Sequence, residues 1–463
     1  MSKIKNLSFN AFSVIIIAFL KILELYTLSS NLTPTERGLF SLLTFYVLLS
    51  ILLSEMGIQN SVYSQSNIND LQLRTLFWFN LLKSIFFYLV ITFFLFLFCW
   101  FSGIEEFYTF AIAGVIVLLN GLGKFYRSVL ISKGQIQQLS IIELISTLLE
   151  FIVIYFTISN LGIKSFVFGI TLKFLIDNFF FFLKLNKTIQ IFGPVSFKEI
   201  YKFIAVGIYD LLSQFVNFFS KEIDTILVTS FYGLEVLGVF NVSKQLTLKP
   251  IRLIGPIINN AFFPIFDKTK NNPFNFKESL NIQLSLNSTI ISLIFLFIMA
   301  VKGLLISKFF PEKNNLNINF IFICFLLFSL IKGYWSPLGS LILTLGDTKK
   351  AFKFNVFVFV FSFLISIGFA YSFSVKWFAM SLFITVLISF VFSYFIFYSK
   401  YFTIQSYFKL TILNAWPLLI VVVLDKYDLN FGSIIMYSVF ICMLYFLTQF
   451  NTIKNAFSYF KNI

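Results

Sequence analysis

The sequence predicts an all-α integral membrane protein of about fourteen transmembrane helices: two six-helix lobes related by a parallel pseudo-two-fold repeat, plus two extra C-terminal helices. Three observations predict it. Of 463 residues, 58% are hydrophobic and only 12% charged, with a mean hydropathy of +0.90, whereas soluble domains carry about 25% charged residues. Apolar stretches of the ~20 residues that cross a hydrocarbon core recur along the whole chain. The chain also repeats itself at an offset near 200 residues. This composition excludes a soluble enzyme, a secreted disulfide scaffold and a disordered tail. With no His, it also excludes His-based triads, metal sites and proton relays.

In chain order the apolar stretches fall at 9–30, 38–57, 76–101, 107–127, 139–159, 163–183, 204–230, 236–262, 283–304, 316–340, 352–372, 376–397, 407–425 and 431–449. Transmembrane strands would alternate in ~10-residue segments, and Phe93-Phe94-Leu95-Phe96-Leu97-Phe98 does not. The first stretch follows Lys3 and Lys5 as a signal peptide would, but Lys21 and Glu24 interrupt it and no small-residue cleavage site follows. It reads as a retained helix. Cys99, Cys324 and Cys442 sit in three different spans without paired spacing, so they read as buried filler, with no metal and no disulfide.

Loops on the N-terminal side of the membrane hold 20 Lys and Arg, Arg127 at the edge of the fourth span among them, and those on the opposite side hold 7. The positive-inside rule then puts both termini in the cytoplasm, and the expected location is a bacterial cytoplasmic (inner) membrane. No loop exceeds about twenty residues, which leaves no room for a nucleotide-binding domain or a large external catalytic loop. The segment Asn120-Gly121-Leu122-Gly123-Lys124-Phe125 lacks the first Gly and the Ser/Thr of a P-loop.

Residues 21–40 align without gaps on 221–240. Lys21 and Glu24 fall on Lys221 and Asp224, and Gly38-Leu39-Phe40 on Gly238-Val239-Phe240. Further on, Ser132-Lys133-Gly134-Gln135 falls on Thr344-Leu345-Gly346-Asp347, and Lys164 on Lys376, at an offset of 212. Six spans separate the copies, so both share one orientation, and a site is expected between lobes near mid-membrane. The expected domains are an N-lobe at 1–190, a C-lobe at 191–400 and a C-terminal pair of helices at 401–463. The linker at 184–203 carries Gly193-Pro194 and four lysines.

The pattern Lys221-Glu222-Ile223-Asp224, an apolar run, then Tyr232-Gly233-Leu234-Glu235-Val236-Leu237-Gly238-Val239-Phe240 resembles the start of the second lobe in the multidrug/oligosaccharidyl-lipid/polysaccharide exporters. Phe262-Phe263-Pro264 before a basic loop fits as well. Fourteen spans are similar to the polysaccharide flippase branch rather than the twelve-span drug antiporters. The resemblance implies a MATE-like fold and no enzymatic activity. It implies alternating-access flipping of an undecaprenyl-pyrophosphate-linked oligosaccharide, the repeat unit of an O-antigen, lipopolysaccharide, capsule or exopolysaccharide. Membrane lipid and a polysaccharide polymerase are the implied partners, and nucleic acid is not one. A monomer without cofactor, coupled to H⁺ or Na⁺, is expected.

Eight cations lie inside spans: Lys21, Lys83, Lys173, Lys221, Lys244, Lys249, Arg252 and Lys332. At roughly 2.5–3.5 kcal/mol each on insertion scales, eight facing lipid would cost more than the ~5–15 kcal/mol of a typical net stability. They must pair, snorkel or face a wet interior. Lys21 with Glu24, Lys173 with Asp177, and Lys221 with Asp224 read as structural pairs at helical spacing, and Lys83 as snorkelling. With intramembrane carboxylates included, the N-lobe has a formal balance of −2 and the C-lobe +3. A cationic C-lobe suits a diphosphate. The expected anion ligands are Lys249 and Arg252 beside Pro250, Gly255 and Pro256, with Lys244 and Lys332. Asp224, Asp210, Glu143 and Glu150 are the ion-coupling candidates. Trp335 and Trp416 are read as stacking on sugars or anchoring at interfaces. The rival readings are a cation-coupled multidrug antiporter, which predicts an acidic cavity, and a polysaccharide-modifying membrane enzyme, which short loops and the lack of His disfavour.

Overall fold

The computed structural model describes residues 2–55, 69–102, 107–132, 135–185, 193–310, 318–345, 348–411, 441, 443–445, 448–450 and 454. Fourteen α-helices and one π-helical turn make up the described regular structure. They are α1 (Ser2–Asn31), α2 (Pro34–Glu55), α3 (Asp70–Ser102), α4 (Phe107–Ser132), α5 (Ile136–Leu161), α6 (Lys164–Leu185), α7 (Phe197–Thr269), α8 (Pro273–Ala300), α9 (Lys302–Phe309), α10 (Ile318–Trp335), α11 (Leu338–Leu345), α12 (Thr348–Ser372), α13 (Val375–Ser393) with the π turn Tyr394–Tyr398, and α14 (Ile404–Thr411).

Eleven stretches of the described residues are long and apolar enough to cross a membrane. They coincide with the first twelve predicted spans, because the seventh and eighth share one run, Gln214–Arg252, within α7. That helix breaks at Gly233, whose φ of 85° and ψ of 175° are non-helical. Glycine tolerates positive φ where a Cβ would clash, and this glycine falls between the two spans the sequence predicts there. The predicted spans 407–425 and 431–449, with Trp416 and Cys442, lie almost wholly outside the described residues, as do Lys133-Gly134 and Gly346-Asp347 of the repeat.

The helix starts are written locally. Thr33 and Glu36 form a reciprocal capping box ahead of α2, with Thr33 N donating to Glu36 Oε2 at 2.9 Å and Glu36 N donating to Thr33 Oγ1 at 3.3 Å. Asn69 and Gln72 do the same for α3. Asn272 caps α8 with Pro273 at its first position, where a missing N–H costs nothing.

The chain divides into two units. Unit 1 comprises Met1–Thr229 with Gly233–Gly238, and unit 2 comprises Ser230–Tyr232 with Val239–Ile463. In unit 1, α3 packs on α4, α4 on α6, and α5 on α6. In unit 2 the span-for-span counterparts pair in the same way: α8 on α10, α10 on α13, and α12 on α13. This shared pairing is the structural form of the sequence repeat. Unit 1 also brings Gly38 and Gly238, matched at the offset of 200, into contact. A Cβ on Gly38 would fall 2.0 Å from the Leu234 carbonyl oxygen, and one on Gly238 would fall 3.0 Å from the Gly38 nitrogen.

Candidate functional site

Among the described residues, unit 1 holds two clusters of paired charges. In the first, Lys21 Nζ on α1 lies 2.7 Å from Glu24 Oε2 and 2.7 Å from Glu150 Oε2 on α5. The Glu150 side chain is fully buried and its second oxygen accepts no hydrogen bond. In the second, Arg127 Nη1 on α4 lies 2.9 Å from Glu143 Oε1 on α5, and Lys173 Nζ on α6 lies 3.7 Å from Asp177 Oδ2. Asp177 also senses Glu143 and Arg127 electrostatically, so four charged groups from three helices form one neighbourhood. The two ion-coupling candidates of α5 are therefore each held by a cation. Asp224 is buried, and its Oδ1 accepts from the Thr225 N–H at 3.0 Å; Lys221 is exposed. Asp210 lies on α7, and its side chain falls outside the description.

Two cations depart from expectation. Lys83 does not snorkel: it is buried and donates to the Ser54 carbonyl at 2.6 Å and to Asn80 Oδ1 at 2.9 Å. There it neutralises the carbonyl end of α2, where a helix dipole favours positive charge. Arg127 lies within α4, which runs five residues past the predicted span, rather than in a loop.

The expected anion ligands all belong to unit 2. Lys244 is buried, Lys249 half-buried and Arg252 exposed on the second arm of α7. Lys332, half-buried at the end of α10, has its Nζ 4.9 Å from the centroid of the Phe328 ring, a cation–π distance. A close crossing sets where these helices meet. A Cβ on Gly333 would stand 3.2 Å from Ile251 Cγ2 of α7 and 2.7 Å from Ile291 Cγ2 of α8. Lys332 and Arg252 each leave the backbone one residue from that contact. On the same arm, Gly255 faces Ser336, with 3.3 Å between a would-be Cβ and Ser336 Cβ. Trp335 packs edge-on against Phe354 at 5.5 Å. Small residues thus let a cation-bearing helix approach the end of another, and two or more cations in one place can clasp a diphosphate.

Sequence reasoning missed the neutral polar groups of unit 2. Asn259 on α7, Gln283 and Asn287 on α8, and Ser336 and Ser340 at the junction of α10 and α11 form one hydrogen-bonded array. The signal available was Gln283 and Asn287 at i, i+4 in an apolar span, with a proline two residues beyond Trp335 in the next.

The model of a family described as "Polysaccharide biosynthesis protein" matches residues 28–318. Among curated relatives, the teichuronic acid biosynthesis protein TuaB of Bacillus subtilis is 22% identical over 74% of this chain and 71% of its own length. The lipopolysaccharide biosynthesis protein WzxC of Escherichia coli is 22% identical over 79% and 75%. The amylovoran biosynthesis protein AmsL of Erwinia amylovora is 24% identical over 64% and 76%. Among solved structures, the lipid II flippase MurJ in an inward closed conformation superposes with a TM-score of 0.76 at 17% identity, over 97% of this chain and 100% of that one. An inward-facing MATE transporter superposes with a TM-score of 0.65 at 14% identity, over 84% and 98%. At these identities the two structures show the fold: it is MATE-like.

Proposed function

Because the chain belongs to the polysaccharide biosynthesis protein family and is a membrane transporter of MATE-like fold, we propose that it flips a polyprenyl-diphosphate-linked oligosaccharide across the bacterial cytoplasmic membrane by alternating access. The observation that carries this reading is the cationic end of unit 2. The Gly333–Ile251 contact draws the Arg252 arm of α7 and the Lys332 end of α10 together, with Lys249 one turn from Arg252. Guanidinium and ammonium groups bind diphosphate through charge-assisted hydrogen bonds, while a polyprenyl tail stays in lipid. No bond is made or broken. H⁺ or Na⁺ exchange at the carboxylates of unit 1, or consumption of the product outside by a polymerase, would supply direction. The relatives named for polysaccharide pathways support the substrate class, and the excess of cationic over acidic groups in the C-lobe spans argues against a drug/cation antiporter.

The test is flipping of a fluorescent undecaprenyl-diphosphate-linked sugar in proteoliposomes. Wild-type protein is expected to flip it, with Lys249→Ala and Arg252→Ala slowed. Transport indifferent to both changes removes the anion-site assignment. Absence of flipping together with efflux of organic cations replaces the flippase by the antiporter.

A further inference from the structure

The tenth predicted span, 316–340, is broken near its C-terminal end. Helix α10 stops at Trp335, Ser336 and Pro337 form a turn, and α11 starts at Leu338. Proline cannot donate a backbone hydrogen bond, so in a continuous helix the carbonyl four residues earlier loses its partner. For Pro337 that carbonyl is Gly333. Asn287 Nδ2, from α8, donates to it at 2.9 Å, and the Ser336 N–H reaches it at 3.1 Å. The Ser336 carbonyl, at the turn itself, accepts from Asn259 Nδ2 of α7 at 2.9 Å. Broken backbone survives at membrane depth only where neighbouring groups re-satisfy it, and here two side-chain amides do so.

The array fixes the orientation of both asparagines, while Gln283 Oε1 accepts no hydrogen bond within it. With its Nδ2 on Gly333, Asn287 turns Oδ1 to the Ser336 hydroxyl, which donates at 3.1 Å. With its Nδ2 on Ser336, Asn259 turns Oδ1 to Gln283 Nε2 at 3.2 Å, and that nitrogen also reaches Ser340 Oγ at 2.8 Å. The Ser340 hydroxyl returns to the Pro337 carbonyl at 2.9 Å. Gln283, Asn287 and Ser340 are buried. No member carries a charge. The counterpart of this span in unit 1, α4, runs unbroken from Phe107 to Ser132. At the repeat offset of 212, Pro337 corresponds to Phe125, a buried core residue of that continuous helix. The break and its amides therefore belong to unit 2, the unit that bears the candidate anion ligands.

We propose that the Ser336–Pro337 break is a hinge, and that Asn259, Gln283 and Asn287 form a neutral latch holding it, so that these three are positioning residues for Lys332, which directly precedes Gly333. Each amide is both donor and acceptor, so the latch can release a carbonyl and re-form without moving charge through lipid. The hinge and latch themselves do not depend on the substrate; their use in transport rests on the flippase reading above.

The test uses the full-length protein in a cysteine-free background, spin-labelled at Lys277→Cys on α8 and Leu345→Cys at the end of α11. It compares wild type, Asn287→Ala, Pro337→Ala and the double variant by melting temperature and by the width of the inter-label distance distribution. Asn287→Ala is expected to melt lower and broaden the distribution. Pro337→Ala restores the N–H, so the double variant should regain the melting temperature and a narrow distribution. A double variant that stays as unstable or as broad as Asn287→Ala overturns the latch, as does an Asn287→Ala distribution as narrow as wild type. If Asn287→Ala does not fold, Asn259→Ala takes its place in the single-variant comparison alone, since the Ser336 carbonyl keeps the Gly339 N–H at 3.3 Å and the N–H that Pro337→Ala restores reaches Gly333 instead; an Asn259→Ala distribution as narrow as wild type then overturns the latch. For transport, Pro337→Ala should lower the maximal flipping rate of the fluorescent lipid with half-saturation unchanged, and an unchanged rate overturns the hinge. The first two readouts need no substrate, so their failure is distinct from failure of the flippase reading.

Discussion

The two units share a helix-pairing plan and differ in what they bury. In unit 1, the α1–α5 and α4–α5–α6 junctions hold opposite charges at 2.7–3.7 Å. In unit 2, the α8–α10 junction holds amides and hydroxyls around a broken helix, beside a cationic arm of α7. Ion pairs at short range tie helices firmly, because either partner alone in a low-dielectric interior is costly. Neutral amide contacts in membranes average only about 0.6 kcal/mol, reaching about 1.7. The difference teaches that unit 1 is built to hold its arrangement and unit 2 to rearrange at one place.

Removing the ammonium that two buried carboxylates share should break this contrast most severely. Lys21→Met leaves Glu24 and Glu150 facing each other without their cation and should cost about 3–5 kcal/mol, measured as a loss of thermal stability in detergent. Adding Glu24→Gln and Glu150→Gln should return most of it. A loss no larger than that of an amide variant in unit 2 would erase the distinction between the units.

Glycines sharpen it next. Gly38→Ala drives a methyl to 2.0 Å from the Leu234 carbonyl, a main-chain atom that cannot rotate away, and overpacking of this kind costs about 1–3 kcal/mol. Gly368 of α12, in unit 2, has open space around its Cβ position. Gly368→Ala should instead gain up to about 1 kcal/mol of helix propensity. Paired melts of the two variants should shift in opposite directions.

Much of this was legible in the sequence, for physical reasons. Hydropathy over twenty residues reports burial in lipid directly, so the first twelve spans, and the glycine between the seventh and eighth, were readable. Contacts at helical spacing, Lys21 with Glu24 and Lys173 with Asp177, follow from 3.6 residues per turn. The partner that makes the first cluster, Glu150, is 129 residues from Lys21, and no local rule reaches it. Lys83 was misread because an ammonium near a span end can either snorkel or cap a neighbouring helix, and only the position of Ser54 decides. The amide latch was invisible because Asn, Gln and Ser raise no charge alarm. Their significance lies in the carbonyls that Pro337 frees on another helix.

The smallest effect tests whether depth, rather than charge alone, separates the clusters of unit 1. Arg127 and Glu143 make a bridge at 2.9 Å with side chains 37% and 22% exposed, against 30% for Lys21 and none for Glu150, so the two bridges differ chiefly in the depth of the carboxylate. Partial exposure lets polar surroundings screen the pair and re-solvate whichever partner is left behind, so Arg127→Gln should cost under about 1 kcal/mol. A double-mutant cycle with Glu143→Gln isolates the pair from its Lys173–Asp177 neighbours, because each single change removes the same bridge without creating a new one. The coupling should be well below that of a matching cycle on Lys21 and Glu150. Equal couplings would mean that the α4–α5 bridge sits as deep in low dielectric as the α1–α5 one. Unit 1 would then hold two anchors of the same strength rather than one anchor and one adjustable contact.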